Sequence, residues 1–410
     1  MKILHISTND AGGAGLCCIR IHKGLLSKGV ESKVLVLNKT LDEPELYRFE
    51  QKRKKSPFPI SLVLPYLELT ARKFLGTSLS RAERYRERLY RLRDGLPVFF
   101  TLPVSDNDLA ACSLVPDADI IHLHWVADFL DYPSFFTKVD KPIVWTVHDE
   151  NPYLGGWHYQ KARGKHPLLD KFDDELVAIK QASMACHKDI TIVSLSRMMR
   201  EFSLSQKSFA DREHRMVHNP VDHSVFRPVD KSFSRELFGL PKDKKILCFV
   251  SFGLWDARKG FKELLAALKS LGRSDIALCV VGAGDVKGIS DLEISSLGTV
   301  RDDRLMSVAY SAADLFVMPS FQEAFAQSPL EAMACGVPVV AFPCSGTGEL
   351  INERNGVRTT DFTVESLGKG IEKALNTEYD PLWIRNDVIE RFGIDTIVPQ
   401  YIDLYRQVLT

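Results

Sequence analysis

Glu323 and Glu331 lie in the run Ser320-Phe321-Gln322-Glu323-Ala324-Phe325-Ala326-Gln327-Ser328-Pro329-Leu330-Glu331. A carboxylate accepts several hydrogen bonds at once, so a pair of them suits a ligand rich in hydroxyls. Their spacing alone does not separate them from solvated or capping glutamates, but their surroundings do. Ala324, Ala326, Ala332 and Ala334 are small enough to let backbone and ligand approach closely. The apolar run at 314–319 suits a buried parallel strand, and the one at 337–342 suits the next. Between them the pattern predicts a helix, with Pro329 tolerated in its first turn and Gly336 and Pro338 ending it. Glu323 then falls in the loop at a strand's carboxyl end, and Glu331 on the helix. Ligands of open α/β sheets bind at that edge, where free backbone N–H groups of a helix start favour anions. Hydroxyls and phosphate together read as a sugar nucleotide.

The elements that must hold this junction recur along the chain. Short apolar strands at 3–6, 32–37, 120–123, 143–147 and 189–194 alternate with helical stretches such as 15–28. A turn-rich stretch from His218-Asn219-Pro220 to Phe226-Arg227-Pro228 then leads to a second series of strands at 245–249, 277–282, 315–319 and 337–342. Alternation of this kind implies parallel sheets covered by helices. A chain of 410 residues is too long for one compact core and suits two domains.

Composition narrows the partners. Lys plus Arg and Asp plus Glu number 53 each, so net charge gives no general pull toward nucleic acid. The eight cysteines show neither metal-type pair spacing nor a secreted disulfide framework, which favours a reducing cytoplasm. The amino terminus has too short an apolar run for a signal peptide, and no window reaches transmembrane length. Asp10-Ala11-Gly12-Gly13-Ala14-Gly15 follows the first strand and allows close approach of a phosphate or an acceptor. It lacks the three-glycine dinucleotide spacing, and residues 32–37 run into Asn38 rather than an acidic residue, which argues against NAD.

The segment 302–349, with Pro319-Ser320 before the glutamates, the run from Glu331 through Gly336 to Val340, and Gly346 with Glu349, closely resembles the retaining GT-B glycosyltransferases of family 4. Further matches are Gly12-Gly13, residues 119–125, the strand end Thr146-Val147-His148-Asp149, His218-Asn219-Pro220-Val221-Asp222, Arg258-Lys259-Gly260 and residues 281–284. The resemblance covers nearly the whole chain. It implies an α/β protein of GT-B fold, with two Rossmann-like doubly wound domains facing across a cleft. Residues 1–222 would be the acceptor side, carrying a basic insert at about 52–95. Residues 223–385 would be the nucleotide-sugar donor side, and 386–410 a terminal helix packing back on the first domain.

The resemblance also assigns roles. Lys259, with Arg258 beside it, would offset the charge of a departing diphosphate, Glu331 would bind the ribose hydroxyls, and Glu323 would face the donor sugar. The amides of Phe325, Ala326 and Gln327 would meet sugar hydroxyls or phosphate, Gly12 and Gly13 would approach the donor, and His148 would lie near its sugar. The sequence departs from the family at Gly253-Leu254, where many relatives place an arginine after the glycine, and at Ala326, where they often carry glycine. It also lacks the cysteines that follow His-Asp in some relatives, so no metal site is expected from them. The implied activity is a retaining, metal-independent transferase of hexosyltransferase type. It would move a sugar from a nucleotide diphosphate sugar, without a further cofactor, to a glycan or lipid-linked acceptor in surface polysaccharide or glycoconjugate synthesis. Two alternatives stay open: a GT-B nucleotide-sugar epimerase, which forms product without acceptor, and a non-catalytic nucleotide-sugar-binding subunit. The basic, aromatic-interleaved insert fits an anionic membrane surface at the inner face of the membrane, and equally a solvated helix covering the sheet edge.

Overall fold

The computed structural model describes residues 1–50, 78–93, 95, 98–289 and 292–410. Contacts divide the chain into two units. Met1–Ser194, Arg200–Arg215 and Leu404–Thr410 form the first, and Leu195–Met199 with Met216–Asp403 form the second.

The first unit is built on seven strands: β1 (Lys2–Asn9), β2 (Glu31–Asn38), β3 (Leu46–Arg48), β4 (Ile120–Leu123), β5 (Ile143–Val147), β6 (Ile190–Ser194) and β7 (Glu213–Met216). Their order is β3-β2-β1-β4-β5-β6-β7. β1 pairs in parallel with β2 on one side and β4 on the other, and β4, β5 and β6 continue in parallel. All residues of β4, β5 and β6 are buried, as expected of strands covered on both faces. The strand order reverses between β1 and β4. A crevice at the strands' carboxyl ends is expected there, and Gly12, His124 and His148 follow β1, β4 and β5.

The second unit repeats the plan with β8 (Lys245–Gly253), β9 (Ile276–Ala283), β10 (Ile294–Ser296), β11 (Leu315–Met318), β12 (Val339–Ala341) and β13 (Gly356–Arg358). The order β10-β9-β8-β11-β12-β13 is parallel throughout and reverses between β8 and β11. Leu247, Val280 and Val340 from the sheet close a core with Leu264 and Leu268 of the Phe261–Leu271 helix and Ile371 of the Val364–Leu375 helix. Each unit is thus a Rossmann-like doubly wound domain.

Asp380 caps the Pro381–Phe392 helix through the amides of Leu382 and Trp383. In the Ile394–Val408 helix that follows, residues up to Asp403 group with the second unit and the rest with the first. Tyr405 accordingly reaches His122 in the first unit's sheet, with a hydroxyl-to-Nδ1 distance of 2.7 Å.

Of the basic insert expected at about 52–95, residues 52–77 and 94 lie outside the described residues. Its described part is the Arg81–Arg93 helix. Leu89 and Tyr85 pack against a core containing Phe100, Trp157 and Phe172. Three of its arginines meet acids: Arg86 pairs with Asp106, Arg88 with Glu175 at 2.5 Å, and Arg91 with Glu87 at 2.5 Å. Among the described residues no helix is long and apolar enough to cross a membrane.

Candidate active site

In the second unit the chain leaves β8 through a turn set by Asp256. Its carboxylate accepts the Arg258 amide at 3.0 Å and pairs with the Arg258 guanidinium at 2.6 Å. The Arg258 carbonyl then accepts the Phe321 amide at 2.8 Å, stitching the loop after β8 to the loop after β11. Gly260 follows with φ of 69°, and a Cβ there would stand 1.9 Å from the Pro319 carbonyl oxygen. Only a glycine allows the two loops to lie this close. That proximity brings Lys259 Nζ to 2.5 Å from Glu323 Oε1. The two side chains are 26% and 13% exposed, so the pair is screened from bulk water yet accessible.

Glu331 sits in the Gln327–Ala334 helix, 6% exposed, and its Oε2 accepts the Tyr310 hydroxyl at 2.8 Å. Burial and the neighbouring carboxylate push the Tyr310 hydroxyl far above its ordinary pKa, so it stays protonated and donates. The fixed hydrogen bond orients Glu331. Ahead of that helix, Phe325 is held at both ends. Its carbonyl accepts Asn219 Nδ2 at 2.8 Å, and its ring stacks on His218 with centroids 4.8 Å apart. Gly346, at φ of 79°, leaves the space that the Phe325 ring fills. Ala326 is the helix N-cap and makes no side-chain cap hydrogen bond, and the start of this helix, like any helix N-terminus, carries positive potential toward an anion.

Leu254, where the sequence resemblance leads to the expectation of an arginine, is fully buried in the core. At this edge Lys259 pairs with Glu323, and Arg258 is bonded to Asp256. Tyr310, Asn219 and Asp256 were not singled out as site residues in the sequence. Each acts on another residue across the fold or within a turn, and only the His218-Asn219-Pro220 match hinted at one of them.

In the first unit Gly12 has φ of 73°, and a Cβ at Gly12 or Gly13 would meet nothing within 4 Å. Space remains above the start of the uncapped Gly12–Ser27 helix. Asp10, buried just before it, accepts the amides of Thr40 and Leu41 at 2.6 and 2.8 Å and so fixes the loop after β2.

His148 follows β5, half-buried, with Nε2 at 3.1 Å from His124 Nδ1. Burial lowers its pKa to about 4, so the ring is neutral at physiological pH. Asp149 beside it accepts Trp125 Nε1 at 2.8 Å and His158 Nδ1 at 2.6 Å. Burial opposes its charge, but the His158 ring and these hydrogen bonds prevail and hold the carboxyl below its ordinary range. The Phe99 ring stacks on His158 with centroids 3.9 Å apart and leaves 52% of the residue exposed. Lys180, buried beneath, donates to the carbonyls of Asn151 at 2.6 Å and Leu154 at 2.7 Å, which anchors the loop after Asp149.

Known proteins share this architecture. Residues 244–377, most of the second unit, match the family described as glycosyl transferases group 1. An uncharacterized glycosyltransferase of Methanocaldococcus jannaschii is 25% identical over 310 residues, which cover 70% of this chain and 75% of that protein. The D-inositol 3-phosphate glycosyltransferase of Mycolicibacterium smegmatis is 38% identical over 144 residues, 32% of each protein. Among solved structures, sucrose-phosphate synthase from Thermosynechococcus elongatus superposes with a TM-score of 0.66 at 18% identity, covering 100% of this chain and 99% of that one. Anabaena HepE, solved with UDP, gives 0.63 at 17% identity, covering 99% of this chain and 100% of that one. It has also been solved with UDP-glucose. These likenesses identify the fold as GT-B.

Proposed function

We propose that this chain, a group 1 glycosyltransferase of GT-B fold, uses the edge between β8 and β11 to bind a nucleotide diphosphate sugar and transfers the sugar with retention. The observation that carries this reading is the Lys259–Glu323 pair at 2.5 Å, set beside an uncapped helix start. Lys259 and the amides of Phe325, Ala326 and Gln327 serve as counter-charge for the diphosphate, in place of a metal ion. Arg258 adds positive potential from its pair with Asp256. Glu331, oriented by Tyr310, accepts the ribose hydroxyls. Glu323 faces the donor sugar, and when the diphosphate draws Lys259 away its carboxylate is released to stabilise positive charge at the anomeric carbon. Such charge develops as the leaving group departs. His148 contacts the sugar, and Gly12-Gly13 gives the donor backbone clearance.

The acceptor side is the first unit, and the acceptor is a glycan or lipid-linked sugar of surface polysaccharide or glycoconjugate synthesis. The exposed face of Phe99 supports a pyranose ligand, because its ring is fixed by stacking on His158 and its free face is apolar. Removing it as Phe99→Ala raises the acceptor KM about tenfold at unchanged donor KM, the size expected when an aromatic face covering part of a ligand is lost. Initial rates against acceptor concentration check this. For a lipid-linked acceptor at an anionic membrane surface, the motivation is the basic sequence of the insert near 52–95.

Scanning fluorimetry against UDP, GDP, ADP and TDP tests the donor assignment. UDP leads the panel because HepE binds it. One nucleoside diphosphate is expected to raise Tm, since at a hundred times Kd a ligand adds about 2.7 kcal/mol. Glu331→Ala abolishes the shift if the ribose contact is real. A shift undiminished in that variant refutes the ribose role.

A further inference from the structure

Three buried or half-buried imidazoles form a hydrogen-bonded row in the first unit. His5 Nδ1 lies 3.0 Å from His124 Nε2, and His124 Nδ1 lies 3.1 Å from His148 Nε2. His5 and His124 are 0% and 1% exposed, and His148 reaches the strand-end surface. Burial holds the pKa of each ring below its ordinary value, so all three are neutral. His122 lies against the row, its centroid 4.1 Å from that of His124, but bonds to the hydroxyls of Thr146 and Tyr405 instead.

A neutral imidazole carries one proton, and each contact in the row uses one. Only two arrangements satisfy both contacts. In the first, His5 Nδ1–H donates to His124 Nε2, His124 Nδ1–H donates to His148 Nε2, and His148 carries its proton on Nδ1. In the second every bond reverses, and His148 Nδ1 is a bare lone pair. The inner end of the row decides between them. His5 Nε2 is buried with no hydrogen-bond partner among the described residues. The reversed arrangement would leave an N–H orphaned there, whereas the first leaves a lone pair. Buried N–H groups without partners are the rarer and costlier case.

We infer that His5 and His124 are positioning residues that lock His148 in its Nδ1–H tautomer, so that His148 donates a hydrogen bond to a sugar oxygen and does not act as a base toward the acceptor hydroxyl. This rests on the proposed placement of His148 at the donor sugar. The row is then a polarity device: a carboxylate behind His148 would fix the opposite tautomer, and here an imidazole N–H stands in its place.

Two amide variants separate polarity from packing. An asparagine amide nitrogen falls near the Nδ1 position of histidine and a glutamine one near Nε2. His124→Asn keeps the donor toward His148 and loses the His5 contact, and His124→Gln does the converse. Expected is kcat within about threefold of wild type for Asn and about ten- to a hundredfold lower for Gln, with donor KM little changed, as for a misplaced contact group. A purely structural role would affect the two alike, and equal losses overturn the proposal. Long-range 1H–15N correlation spectra of histidine-labelled wild-type protein give a second readout that needs neither folded variants nor turnover. A proton on His148 Nδ1 is expected, and one on Nε2 overturns the inference. The polar atoms of His5, Cys18 and His124 also lie within 4.8 Å of one another. Stoichiometric metal in the purified protein would replace the hydrogen-bonded row and likewise overturn it. If the tautomer holds but no variant alters transfer, the fault lies with the placement of His148 at the sugar.

Discussion

Lys259→Ala turns over a nucleotide diphosphate sugar about 10²–10³-fold more slowly in kcat, the loss typical when one preorganised group that stabilises developing charge is removed. The leaving diphosphate gains charge as its bond to the sugar breaks, and Lys259 stands at this edge beside an Arg258 that Asp256 already holds. Stability changes little, because a partly exposed ion pair contributes about 1 kcal/mol or less, and Glu323 keeps access to water when its partner goes. The check is kcat at saturating donor for a variant whose Tm and far-UV circular dichroism match wild type. A kcat within about threefold of wild type would show that the diphosphate draws its counter-charge from elsewhere.

Gly260→Ala damages both fold and site. The added Cβ would stand 1.9 Å from the Pro319 carbonyl oxygen, and φ of 69° is unfavourable for any side chain. The left-handed conformation alone costs about 1–2 kcal/mol, and parting the two loops brings the expected total to about 2–4 kcal/mol. Parting them also moves Lys259 away from Glu323, so residual folded protein loses turnover as Lys259→Ala does. Urea unfolding gives the first effect and steady-state rates the second. As a control, Gly272→Ala has similar φ of 61° but nothing within 4 Å of its Cβ, and so suffers the backbone cost without the loss of activity. Equal rates in the two alanine variants would mean that the loop approach does not matter to the site.

The central strands were legible because β1, β2, β4, β5, β6, β8, β9, β11 and β12 are mostly buried, and burial on both faces writes a continuous apolar run. β3, β7, β10 and β13 gave no such run. Each is an edge strand of three or four residues, partly exposed and free of the need for apolar side chains on both faces. The loop-to-helix junction was legible through Pro329 and Gly336, and it placed Glu323 and Glu331 on the elements that the structure gives them. What orients those side chains was not. Tyr310 lies twenty-one positions from Glu331 and Asn219 a hundred and six from Phe325, and no local pattern records a hydrogen bond over that separation. The turn-rich stretch around His218 and Asn219 packs against the Phe325 loop within the second unit, a contact that no local pattern records. The histidine row was hidden for the same reason. His5, His124 and His148 come from three strands, and only the sheet order β1-β4-β5 makes them neighbours.

Release of nucleoside diphosphate from UDP-, GDP-, ADP- and TDP-linked sugars, followed in EDTA with a glycan acceptor present, tests the central claim most directly. The account predicts that wild-type protein consumes one of these donors in the chelator and passes its sugar to the acceptor with the anomeric configuration kept, while folded Glu323→Ala does neither. Consumption of no donor, or a Glu323→Ala variant as active as wild type, would contradict it.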